Sequence, residues 1–81
     1  MSTYTTTVTV HKNGQRVGSG YKVSLEFTGL MGGFTNNFYT NSNGTAHVSH
    51  ASQGSVNVYV GGDWSSHRTR GTAPGSINVY L

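Results

Sequence analysis

"SVNVYV", Ser55 to Val60, and "SINVYL", Ser76 to Leu81, are nearly the same six residues written twice in a chain of 81. An aliphatic residue stands at every second position, Val56, Val58 and Val60 in one copy and Ile77, Val79 and Leu81 in the other. Successive side chains of an extended strand point to opposite faces, so this period of two gathers the aliphatic residues of each copy on one face. The intervening Ser, Asn and Tyr take the other. Both copies therefore predict half-buried strands, in which β-branched and aromatic residues are favoured.

The same period extends outward through the chain. In "YTTTVTVHK" Tyr4, Thr6, Val8 and Val10 share a core-facing side, and Thr5, Thr7, Thr9 and His11 share the other. "KNGQ", Lys12 to Gln15, puts Asn-Gly where a two-residue hairpin needs positive φ at both central positions. A second strand is expected from Val17 through Phe27, with Tyr21, Val23, Leu25 and Phe27 inward, Lys22, Ser24 and Glu26 outward, and a bulge at Gly18 and Gly20. "TGLMGG", Thr28 to Gly33, is a connection that places Leu30 and Met31 over one end of the core, and a third strand follows over Phe34 to Thr40. Asn43-Gly44 then reverses the chain into a fourth strand, whose Ala46, Val48 and His50 share a face. Ser52 to Gly54 leads into the first hexamer. Between the hexamers, Gly61 to Gly75 holds one more edge strand around Ser66 to Thr72.

About seven short strands separated by turn signals predict an all-β fold, an antiparallel two-sheet sandwich, with an open barrel as the competitor. Residues 1–81 form one domain, because a chain of this length has surface enough to bury for a single modest core. Twelve Gly, one Pro and 9% charged residues exclude a helical reading. No apolar run approaches the roughly 18 residues that a membrane-spanning helix needs. "MSTYTTTVTV" lacks the basic start and apolar stretch of a secretory leader. With no cysteine, the fold is disulfide-free and has no thiolate metal site.

The middle and end of the chain also resemble a known family. "VTVHKNGQRVGSGYKVSL", "TNSNGTAHVSHASQGSVNVYVGG" and the closing "INVYL" are similar to the transthyretin-like sandwiches typified by carboxypeptidase regulatory-like domains. Thr40, Asn41, Gly44, Ala46 and Val48 match that family's turn-and-strand element, and Gly54, Val56, Val58 and Val60 match the strand after it. The resemblance implies a prealbumin-like β-sandwich that attaches to, recognises or supports another protein or a parent-chain domain. An enzymatic branch, the hydroxyisourate hydrolases, uses His and Arg with a C-terminal Tyr-Arg-Gly-Ser. This chain has His11, Arg68 and Tyr80 but reads "NVYL" at that point, so the activity is not carried over.

No residue pattern points to catalysis. Glu26 and Asp63 are the two carboxylates, too few for a paired-acid site unless the fold brings both together. Asp63, Ser65 and His67 supply triad residue types without a nucleophile-elbow motif. His47 and His50, three apart on one strand, point to opposite faces and do not clasp one ion, although His47 with His11 or His67 across strands would suit zinc or copper. Neither a metal nor a cofactor is expected. Five Lys and Arg give a net charge of +3, with Lys12 and Arg16 flanking a turn and Arg68 and Arg70 elsewhere, which does not concentrate into a nucleic-acid stripe.

Aromatic residues carry the binding expectation. Tyr59 and Tyr80 hold the outward positions of the two hexamers beside Asn57 and Asn78, with Trp64 in the loop that follows the first. If the two strands share a sheet, these five residues form a ladder suited to a partner protein or a sugar ring, since Tyr and Trp pair flat apolar area with a polar tip. The expected function is a non-catalytic interaction module, with carbohydrate binding through Trp64, Tyr59 and Tyr80 as the alternative. Unpaired edge strands add homo-oligomerisation as a further partner mode.

Overall fold

A computed structural model describes residues 3–29, 33–61 and 67–81, with side chains from 69 onward in the last segment. Among the described residues nine strands occur in chain order: β1 (Tyr4–Lys12), β2 (Gln15–Arg16), β3 (Lys22–Phe27), β4 (Gly33–Phe34), β5 (Phe38–Tyr39), β6 (Thr45–His50), β7 (Gly54–Val60), β8 (His67–Ala73) and β9 (Gly75–Tyr80). The described residues contain no helix. Two sheets pack together. In the first, β1 is central, with β2 and β6 along one edge and β9 along the other. In the second the order is β4-β3-β7-β8, with β5 pairing β3 beyond β4. Every pairing is antiparallel except β1 with β9, which run parallel.

The core lies between the sheets. Val8, Val10, Ala46, Val48, Ile77 and Val79 come from the first, and Val23, Leu25, Val56, Val58 and Val60 from the second. These are the aliphatic positions that the period of two assigns inward. Leu81 is the exception: it follows the last pairing of β9 and is 39% exposed. Leu30, Met31 and the loop around Trp64 lie outside the described residues.

The "KNGQ" hairpin forms, with Lys12 opposite Gln15 and positive φ at Asn13 and Gly14. The strand expected over Val17 to Phe27, however, is split. Val17 N–H still donates to Val10 O in the first sheet, whereas pairing resumes at Lys22 in the second. Gly18 and Gly20 therefore mark a crossover, not a bulge. Buried Thr40 holds this crossing: its hydroxyl accepts from Tyr21 N–H at 3.1 Å and donates to Gly18 O at 2.8 Å, while its backbone N–H donates to Tyr21 O.

The segment Phe34 to Thr40 departs from one continuous strand in a second way. Glu26 pairs with Phe34 and Val23 with Phe38, so four residues on this side oppose three on β3. The extra residue is absorbed around Thr35, whose hydroxyl accepts from Leu25 N–H at 3.0 Å. One additional residue inverts the side-chain parity. Phe38 consequently packs on the core, and Phe34 and Tyr39 face outward.

Asn43-Gly44 turns the chain but does not make a hairpin, because β5 belongs to the second sheet and β6 to the first. Asn41 closes the turn by accepting from Asn43 N–H and Thr45 N–H. Gly44 has φ of 74°, and a Cβ there would lie 2.5 Å from Val17 O, a backbone atom. Only glycine fits this close approach.

Candidate functional site

The two outward sheet surfaces differ in chemistry. On the first sheet the cross-strand rows are His47, Thr7 and Ser76; Thr45, Thr9 and Asn78; and Arg16, His11 and Tyr80. This surface is mostly hydroxyl, amide and imidazole groups, with the Arg16 guanidinium at one end. His11 stacks on Tyr80 with centroids 4.7 Å apart, and its Nε2 lies 3.1 Å from Asn78 Oδ1. On the second sheet the rows are Tyr39 with Lys22; Phe34, Glu26, Asn57 and Arg70; and Ser24, Tyr59 and Arg68, the last placed by register. Of the five Lys and Arg residues, Lys22, Arg68 and Arg70 thus occupy outward register positions on this one sheet.

The expected ladder does not assemble. Asn57 and Tyr59 stand on β7 in the second sheet, and Asn78 and Tyr80 on β9 in the first, so the two pairs face opposite sides of the molecule. The cause is the crossing between β8 and β9, which sends the second hexamer to the other layer. Nor are the tyrosines equivalent. Tyr59 is 6% exposed and donates its hydroxyl to Glu26 Oε1 at 2.8 Å, while Tyr80 is 64% exposed. Asn57 Nδ2 donates to the same carboxylate oxygen at 3.2 Å. Trp64, the fifth residue of the ladder, lies outside the described residues, as do Asp63 and Ser65.

What the sheets do present is a pair of exposed rings that strict alternation hides. Phe34 is 55% and Tyr39 59% exposed, both on the outer face of the second sheet. Their partners on β3 are four residues apart, which separates the rings' strand positions by roughly 13 Å. Phe34 also leans on Tyr59, centroids 5.8 Å apart. The sequence signal for this placement is the run of three polar residues, Thr35, Asn36 and Asn37, that interrupts the aromatic residues.

A cleft of about 300 Å³ opens beside Phe34, lined by Phe27, Thr35, Asn36, Ser49, His50 and Ser52 among others. His50 forms its inner wall. A carbonyl oxygen only accepts, so the 2.7 Å contact of Nδ1 with Ser52 O puts a proton on Nδ1, and Nε2 lies 2.6 Å from the Thr6 hydroxyl. The two ring nitrogens thus tie the β6–β7 connection and β1 to the end of β6. His47 and His50 take opposite faces, the first exposed and the second buried. Among the described residues no group of three His, Cys, Asp or Glu is placed to hold a metal ion.

Family models, curated proteins and solved structures give no match to this chain. Fold and geometry alone carry the functional reading.

Proposed function

We propose that this chain is a non-catalytic module that binds or positions an acidic partner protein through the outer face of its second sheet, in the manner of the transthyretin-like domains it resembles. One observation supports the reading above others: Phe34 and Tyr39 stand exposed on a sheet face that also carries Lys22 and Arg70. Aromatic residues and Arg are enriched at the centres of protein interfaces, where flat rings fill pockets at little entropic cost and the cations select an acidic surface. Glu26 on the same face keeps its negative charge while accepting from Tyr59 and Asn57, and Lys22 with Arg70 leaves the described side chains of this face with more positive than negative charge.

The test is retention of proteins from the source cell on immobilised wild type, Phe34→Ser with Tyr39→Ser, and Tyr80→Ser. A protein held by wild type and Tyr80→Ser, lost by the double variant and released by rising salt supports the second-sheet face. Equal retention by all three folded proteins rejects it.

A further inference from the structure

The four lateral edges of the two sheets are not equally protected. Along the second sheet, β8 carries Arg68 and Arg70, and the opposite edge is broken into the two-residue strands β4 and β5. In the first sheet β2 is two residues long and includes Arg16, and the arriving chain caps the start of β6, where Asn41 N–H donates to Thr45 O. Charges, short strands and overlying chain are the devices that keep edges from pairing. β9 has none of them. Its six residues, Gly75–Tyr80, include no charge and no proline, and among the described residues β1 is its sole pairing partner.

The polarity of that edge follows from one hydrogen bond. Leu81 N–H donates to His11 O at 2.8 Å, so odd-numbered residues of this strand turn their backbone groups to β1. The N–H and C=O of Ser76, Asn78 and Tyr80 consequently point away from the sheet. These three residues are symmetric about Asn78.

We propose that the chain forms a two-fold dimer in which β9 pairs antiparallel with β9 of a second copy, centred on Asn78. Ser76 then faces Tyr80 of the other copy, Asn78 faces itself, and about six backbone hydrogen bonds close the seam. Ile77 and Val79, on the inner side of the strand, are already buried within each copy, so the seam rests on its backbone hydrogen bonds and on the outward row of Ser76, Asn78 and Tyr80. A second copy is the occupant because the pattern is self-complementary: no charge repels, and the aliphatic parity matches only when the two strands are centred on the same residue. The inference stands apart from the second-sheet binding face, which the dimer leaves open.

Analytical ultracentrifugation of the wild type over a concentration series should show a monomer–dimer equilibrium. Asn78→Pro removes an outward N–H that the monomer does not use, a change that edge strands tolerate, and should abolish the dimer. Asn78→Lys alters no backbone group and sets like charges opposite each other, so dimer loss is expected there too, with an unchanged far-UV spectrum. Because the chain has no cysteine, Asn78→Cys is a single-thiol probe of register. Opposed Asn78 positions lie about 5.5 Å apart at Cα, within disulfide reach. Ser76 positions are offset by roughly 13 Å and are out of reach. Rapid oxidation of Asn78→Cys to a covalent dimer, with Ser76→Cys remaining monomeric, supports the pairing. A wild type that stays monomeric up to its solubility limit, a dimer that survives in Asn78→Lys, or equal cross-linking at both positions overturns it.

Discussion

Two hexamers of nearly one sequence meet opposite fates. Ser55–Val60 sits in β7, flanked by β3 and β8, whereas Ser76–Tyr80 runs along an edge with β1 on one side. Their aliphatic residues behave alike, since Val58 and Val79 are both wholly buried. Their polar residues do not. Tyr59 is enclosed on the outer face of a five-stranded layer and bonded to Glu26, while the corresponding Tyr80 lies in solvent against His11. The inward half of a strand is thus governed by its own pattern, and the outward half by its neighbours.

Substitution at matched positions can break or sharpen this contrast. The largest difference is expected for tyrosine truncation: Tyr59→Ala should lower stability by about 3 kcal/mol, in the range of large-to-small changes at buried aromatics, and Tyr80→Ala by under about 1 kcal/mol. Urea midpoints measure both, and equal losses would remove the distinction. Next, Val58→Ala and Val79→Ala should each cost about 2 kcal/mol, for two buried methyl groups and the cavity left behind. A loss at Val79 much below that at Val58 would show that the edge strand contributes less to the core than its burial implies. The smallest effect concerns the hydroxyl. Tyr59→Phe removes a hydrogen bond to a carboxylate, worth about 1.5 kcal/mol, and Tyr80→Phe should change stability by less than about 0.5 kcal/mol.

Much of the layer structure was legible in advance. The alternating runs of β1, β6 and β7 and the Asn13-Gly14 turn follow from local rules, because side-chain parity and positive φ are properties of a few consecutive residues. The misreadings share one cause. Val17 to Phe27 alternates as a single strand should, yet the chain leaves one sheet after Val17, and Thr40, nineteen residues beyond Tyr21, is what holds the crossing. At Phe34 to Tyr39 the extra residue beside Thr35 breaks the one strand expected over Phe34 to Thr40 and puts Phe34 and Phe38 on opposite faces. Tyr59 and Tyr80 match in local sequence, yet strand-to-layer assignment depends on the crossings between them.

From the order of residues alone one can read which side of each long strand avoids water, since hydrophobic periodicity acts through contacts that any nearby apolar layer satisfies. Which layer receives a strand, and whether its polar side is covered or left bare, is a matter of partners distant in the chain. Backbone pairing has no residue code of its own: an amide bonds equally well to any strand brought alongside. Assembly of both sheets therefore separated two near-identical hexamers, enclosing Tyr59 and leaving the edge beside Tyr80 open.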